Sequence, residues 1–326
     1  MFLTKSFRYL SMKREIKTNL IKNMLNKSFN NSIGNVAIIV CAFYAPQAAT
    51  AAEYLVADQA AYAEAASKLV AGDSIILKND FEILFEGQGS AAKPITRAAE
   101  KKGDVVISGQ SNLSFSGQYL MVSGLVFNNG FTPTSTVISF RKSNDELANH
   151  SLVTQTGFDS FNNPERFEND SWVTMYGQHN RFDHNHLARK KNKGVTMSVR
   201  LNTKASQENY HRIDHNYFGP RQILGSNGGE TLRIGTSHYS LSDSFATVEN
   251  NYFDRCDGDL EIISDKSGNN KFVGNVFFES RGTLTMRHGN DTLVEKNVFF
   301  ANGADHTGGI RLINKRQTIR NNHMEG

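Results

Sequence analysis

The segment Asp257-Gly258-Asp259-Leu260-Glu261-Ile262-Ile263-Ser264-Asp265-Lys266-Ser267 holds the most informative set of reactive side chains in this 326-residue chain. Read as a strand, it sends Asp259 and Glu261 to one face and Leu260 and Ile262 to the other, into a core. Two outward carboxylates repel unless a cation sits between them, and hard oxygen ligands at this spacing suit calcium. Asn227 precedes Glu261 by 34 residues, close to a 35-residue interval in the repeat described below. It is therefore expected one coil away, its amide oxygen a third ligand. The same arithmetic sets Lys266 beside Arg287, 21 residues on, on coils about 4.8 Å apart. His288 would face the other way on an ideal strand, unless a corner turns it outward.

A cation beside a Lys and an Arg is what removal of a proton next to a carboxylate requires. In a uronate the C5 proton is only weakly acidic, because the neighbouring carboxylate already carries charge. Neutralising that carboxylate stabilises the charge that develops as the proton leaves. A Lys crowded by Arg and calcium has its charged form disfavoured, so its neutral amine can act as a base. The Arg would stabilise charge, or help a proton reach the departing O4. On spacing alone the plainer reading stays open: acids, lysines and arginines on a repeat protein are more often solvated surface.

The elements that must position these groups follow a repeat. From about residue 180 a theme recurs: a β-branched or aromatic residue, polar residues, Asn, then a large apolar pair. Examples are Phe182-Asp183-His184-Asn185-His186-Leu187, Ile213-Asp214-His215-Asn216-Tyr217-Phe218 and Val294-Glu295-Lys296-Asn297-Val298-Phe299. The asparagines fall at 185, 216, 251, 275, 297 and 322, at intervals of 31, 35, 24, 22 and 25 residues. Intervals in the low twenties with occasional longer ones mark a coiled solenoid whose loops absorb insertions. Short runs of Val, Ile, Phe and Tyr bounded by Gly, Asn and Asp favour strands over helices. Asn suits a corner because it tolerates left-handed backbone angles, and stacked asparagines can bond each other in a ladder. The expectation is an all-β, single-stranded, right-handed parallel β-helix.

Earlier in the chain, Ala60 to Val70 reads as an amphipathic helix capping the solenoid, with short strands around Asp73–Leu77, Val105–Ser108, Leu120–Val122 and Leu125–Phe127. The first 52 residues carry seven Lys/Arg against a single acid, Glu15, so the formal charge of +4 arises there and the remainder is nearly neutral. The apparent basicity is thus no evidence for nucleic acid. The basic leader, the apolar Val36–Tyr44 run and Ala48-Ala49-Thr50-Ala51-Ala52 match a secretory signal cleaved near Ala51 or Ala52. The chain is expected to be exported to the periplasm or beyond, with residues 1–52 as leader and 53–326 as one β-helix domain. Cys256 is then the one cysteine of the mature chain, a buried apolar residue without a disulfide partner. The chain stops just after a repeat motif without a capping element, so a truncated C-terminus is expected.

Other chemistry-bearing residues read more simply. His179, Asp183, His184 and His186 could suggest a transition-metal site, but they overlap a repeat motif, where corner and surface roles are the commoner ones. Trp172 reads as packing. Lys190, Lys191 and Lys193 would either line a groove for a polyanion or belong to a solvated loop.

Four segments are specific enough to carry a resemblance: HRIDHNYFGPR (211–221), SNGGETLRIGTSHYS (226–240), CDGDLEIISDKS (256–267) and RGTLTMRHGN (281–290). On these the chain resembles polysaccharide lyase family 6, which contains alginate lyases and chondroitinase B, with weaker similarity over most of residues 54–326. The resemblance implies Ca2+ held by Asn227, Asp259 and Glu261, Lys266 as Brønsted base, Arg287 as acid, and His288 and Arg221 as substrate contacts. It implies β-elimination of an acidic polysaccharide, alginate being favoured because SNGGETLRIGTSHYS looks more like the alginate members. Position 259 is Asp where family members often have Glu; the segment Lys78–Phe85 looks shortened, and family members generally continue for many more coils. The rivals are a dermatan sulfate lyase of the same family, a β-helical glycoside hydrolase working through two carboxyl groups, and a non-catalytic polysaccharide-binding solenoid. The Lys266–Arg287 pair speaks against the hydrolase.

Overall fold

The computed structural model describes residues 52–56, 58–71, 73–77 and 83–326. The expected leader up to residue 51, and residues 78–82 of the segment expected to be shortened, lie outside the described residues. Contacts divide the chain after Ala48, and everything below concerns the unit Ala49–Gly326.

The repeat produces what its spacing requires. Among the described residues the strands form three sheets, of eleven, ten and nine strands, and every strand pairing is parallel. From Leu152 to Leu312 each coil adds one strand to each sheet: Arg212–Asp214, for instance, joins the first, Tyr217–Phe218 the third and Leu232–Ile234 the second. The chain is thus a parallel β-helix. Among the described residues its one α-helix is Gln59–Ala66, started by the Asp58 carboxylate accepting from the Ala61 amide at 2.8 Å. Tyr62 and Ala65 bury its inner face against the core. It ends earlier than expected, at Ser67, whose amide closes the last turn on the Ala63 carbonyl. No helix among the described residues is long and apolar enough to cross a membrane.

Inward positions stack in columns. Val153, Phe182, Ile213, Val248, Phe272 and Val294 form one buried column. Phe218, Phe253, Phe277 and Phe299 form another, their rings face to face at 4.8, 4.8 and 4.5 Å. Burying such side chains contributes roughly 1.5–3 kcal/mol each. Trp172 is fully buried and donates its indole N–H to the Phe161 carbonyl at 2.6 Å. Cys256 is buried too.

The asparagine ladder forms as expected. The Asn216 Oδ1 accepts from both the amide and Nδ2 of Asn185, and the pattern continues through Asn251, Asn275, Asn297 and Asn322 at 2.9–3.1 Å. One detail differs. The left-handed residue is the one before the ladder Asn, as at His184, His215, Asn250 and Lys296. The ladder asparagines themselves are kept for side-chain bonding, which satisfies buried amides that the corner would otherwise leave unpaired.

Candidate active site

The long coils carry their extra residues at two corners, as at 219–231 and 235–246, and beside the first of these a cleft of about 610 Å³ opens. Asn227, Glu230, Asp259, Glu261, Lys266 and Arg287 all line it. The five residues expected to converge do so, but the local geometry departs from expectation in four ways.

First, the strand begins only at Glu261, and Asp259 sits in the bend before it. Asp259 Oδ2 accepts from the amides of Gly228 (3.1 Å) and Gly229 (3.2 Å), and Oδ1 from Leu260 N (2.7 Å). This carboxylate therefore ties its own bend to the loop carrying Asn227. The two loops approach so closely that a Cβ at Gly229 would lie 2.2 Å from the Gly258 carbonyl oxygen, so only glycine fits there.

Second, Leu260 does not enter the core: it is 78% exposed, whereas Ile262 and Ile263 are both buried. A register shift between Glu261 and Ile263 against the next coil breaks the alternation.

Third, Lys266 pairs in register with His288, not Arg287. Asp265 faces Met286, the register then slips, and Arg287 is the residue skipped. The bulge leaves both Arg287 and His288 partly exposed, and His288 Nε2 lies 3.2 Å from Ser237 Oγ. Arg287 reaches along its strand to Glu261, Nη1 to Oε1 2.6 Å.

Fourth, Arg221 is not free to contact a substrate. It is 97% buried by surface exposure. Its Nη1 donates to Thr196 Oγ1 and the Glu230 carbonyl, and Nη2 to the carbonyls of Asn192 and Gly194. A guanidinium so engaged is a brace under the cleft. Lys190, expected in a groove or a solvated loop, is likewise buried, paired with Asp170 at 2.6 Å and with Asn192 Oδ1 at 3.0 Å. The histidines at 179, 184 and 186 belong to separate ring stacks, with His150 and Tyr210, with His215, and with Tyr217.

Burial holds the Lys266 amine below the ordinary lysine range; Arg233 and Arg287 add to this, while Glu230 and Glu261 oppose it. Burial also lowers His288, with Arg287 and Lys266 adding to it. Among the described residues the Lys266 ammonium has no ion-pair partner.

Glu230 was missed by the spacing argument, which used the 35-residue interval and so stopped at Asn227. The register Leu232 to Ile263, continued back two residues, sets Glu230 beside Glu261, an interval of 31 that the repeat also contains. Glu230 is only 2% exposed, and its Oε2 has no hydrogen-bond partner. A buried carboxylate oxygen left so is costly unless a cation meets it. No three side chains among His, Cys, Asp and Glu converge on a metal position among the described residues. The donors at this end of the cleft are hard oxygens, the Asn227 amide and the carboxylates of Glu230, Asp259 and Glu261. In chemistry they fit Ca2+, which accepts open positions for water or substrate. Two arginines were also missed: Arg233, Ser264, Thr285 and Arg311 are successive partners in register, and Arg311 lies 4.0 Å from Glu261 Oε1.

The lateral cleft of this parallel β-helix thus gathers an amine, a guanidinium and hard-oxygen donors. The family model described as Chondroitinase B matches residues 56–326, and the chain belongs to that family, polysaccharide lyase family 6. A family 6 alginate lyase, AlyGC, is 64% identical, with TM-score 0.83 over 84% of this chain and 38% of AlyGC. A mannuronic acid-specific family 6 lyase from human gut microbiota is 36% identical, with TM-score 0.80 over 83% of this chain and 64% of that one. The family 6 lyase Pedsa3628 of Pseudopedobacter saltans is 30% identical, with TM-score 0.75 over 82% of this chain and 62% of its own. This chain therefore spans between about two fifths and two thirds of the length of these relatives. No curated protein matches it.

Proposed function

We propose that this protein is an exported polysaccharide lyase that cuts alginate by calcium-assisted β-elimination. The observation that carries the reading is Lys266, an amine of lowered basicity in the same cleft as Arg287 and the hard-oxygen cluster. Likeness to AlyGC and to the mannuronic acid-specific lyase favours alginate as substrate. The basic leader followed by an apolar run supports export.

Asn227, Glu230, Asp259 and Glu261 would hold Ca2+, which when bound sets positive charge against the uronate carboxylate and so acidifies C5–H. Lys266, neutral, takes the C5 proton at Nζ. The C5–H electron pair becomes the C4–C5 double bond as C4–O4 breaks, and Arg287 supplies the proton that O4 takes. Glu261 orients Arg287 through their ion pair. Arg311, which lines the cleft, would pair with the carboxylate of a flanking sugar, since the polymer carries one per residue.

The test is incubation of the full chain with alginate and with dermatan sulfate, with and without calcium, followed by product mass and ultraviolet absorbance. Unsaturated uronate ends from alginate are expected. Saturated products would mean hydrolysis, binding without turnover would mean a non-catalytic solenoid, and turnover of dermatan sulfate alone would make it the sulfated-polymer lyase.

A further inference from the structure

Two large aliphatic side chains line the cleft with apolar surface in water: Leu260, 78% exposed, and Ile223, 50% exposed. A single exposed leucine needs no explanation. These two line one polar cleft, and the backbone of each is hydrogen-bonded to the neighbouring coils. The Leu260 amide is taken by Asp259 Oδ1, and its carbonyl accepts from Thr283 N (3.0 Å) and Oγ1 (3.3 Å). The carbonyls of Ile223 and Leu224 accept from Arg166 Nη2 at 3.1 and 2.7 Å, and Leu224 N donates to the Gly258 carbonyl at 3.1 Å. These bonds fix the backbone at both residues, and each side chain keeps apolar surface in water unless a ligand covers it.

We infer that Leu260 and Ile223 form an apolar lip that selects an unsulfated uronate polymer over a sulfated one. The inference rests on the lyase reading above and deepens it. A pyranose ring offers a face of C–H groups that can lie on such a lip while its carboxylate points to the oxygen ligands and cations. A sulfate ester at that position would lose water and gain no donor from an aliphatic side chain, which is costly for a charged group. Discrimination here comes from a desolvated mismatch as much as from attraction. Arg281 lines the same cleft, and it is the group that could pair with a sulfate instead.

The experiment compares kcat and KM on alginate and dermatan sulfate for the full chain and for Leu260→Ala, Ile223→Ala, Leu260→Arg and Arg281→Ala. The wild type should favour alginate by about tenfold or more. Leu260→Ala and Ile223→Ala should each raise KM on alginate about threefold to tenfold with kcat unchanged. Leu260→Arg should shrink the alginate preference by about tenfold. Thermal unfolding of the Leu260 variants should stay at the wild-type temperature, because the side chain is exposed. If alginate is cut but KM is unchanged in both alanine variants, or if Arg281→Ala alone moves the preference, the lip is wrong and the lyase reading stands. If no polymer yields unsaturated ends, both fall.

Discussion

Glu261 and Arg287 meet at 2.6 Å although a register slip separates them from regular pairing. The slip leaves Arg287 and His288 both partly exposed, and the ion pair holds the guanidinium at the oxygen-rich end of the cleft. Replacing Glu261 by Gln removes both the orienting charge and one oxygen ligand. Turnover of alginate should fall about 100-fold or more, and Arg287→Ala should fall comparably. A double variant no worse than either single one would show that the two act as a unit.

Lys266→Ala should cost about 10²–10⁴-fold in kcat while leaving the unfolding temperature unchanged; appreciable residual activity would remove Lys266 as the base. A base acts deprotonated, so kcat/KM should rise with pH through the Lys266 pKa, which burial places below the ordinary lysine range. Arg233 pushes that pKa down. Arg233→Gln should therefore move the acidic limb to higher pH, a shift that a purely structural Lys266 would not produce.

Calcium should stabilise the fold as well as the reaction. At a free concentration 100 times its Kd, a ligand bound only by the native state adds about 2.7 kcal/mol. Thermal unfolding with and without chelator should show an increment of that order, smaller in Glu230→Gln because one oxygen ligand is lost. Full activity and an unchanged unfolding curve in excess chelator would remove the metal from the proposal.

Arg221 tests how far a family resemblance can go. Its place in HRIDHNYFGPR made it look like a substrate contact, yet its guanidinium is spent on four of the chain's own oxygens. Arg221→Ala should destabilise by about 2–4 kcal/mol, read by urea unfolding, because it leaves buried carbonyls unpaired. A change in KM at full stability would restore the substrate role. The fold itself was legible because one asparagine per coil must bond the next, which imposes its interval on the chain. The site was legible to the nearest coil, since Asn227, Asp259, Glu261, Lys266 and Arg287 share a cleft. It was not legible to the nearest residue. Two register shifts, at Glu261/Ile263 and Asp265/Lys266, break the alternation on which facing arguments depend. Leu260 and the pairing of Lys266 with His288 were lost to those shifts, and Glu230 to the choice of a 35-residue interval where the local one is 31.

The residue just before the proposed base supplies the last prediction. Asp265 is fully buried and accepts from Asn270 Nδ2 at 2.8 Å and Thr292 Oγ1 at 3.1 Å, with the Ser267 amide at 3.4 Å. Burial raises its carboxyl from 3.8 to about 8, the hydrogen bonds opposing only in part. Between those values the native state holds a proton that the unfolded chain has lost, so stability must decline as pH rises across this range and level off above about 8. Asp265→Asn keeps the shape and the bonding size without an ionisable group. Urea unfolding at several pH values should therefore give a flatter profile for Asp265→Asn than for the wild type, with the variant gaining relative stability toward alkaline pH. Equal slopes would mean that Asp265 stays ionised in its pocket, its three donors outweighing burial.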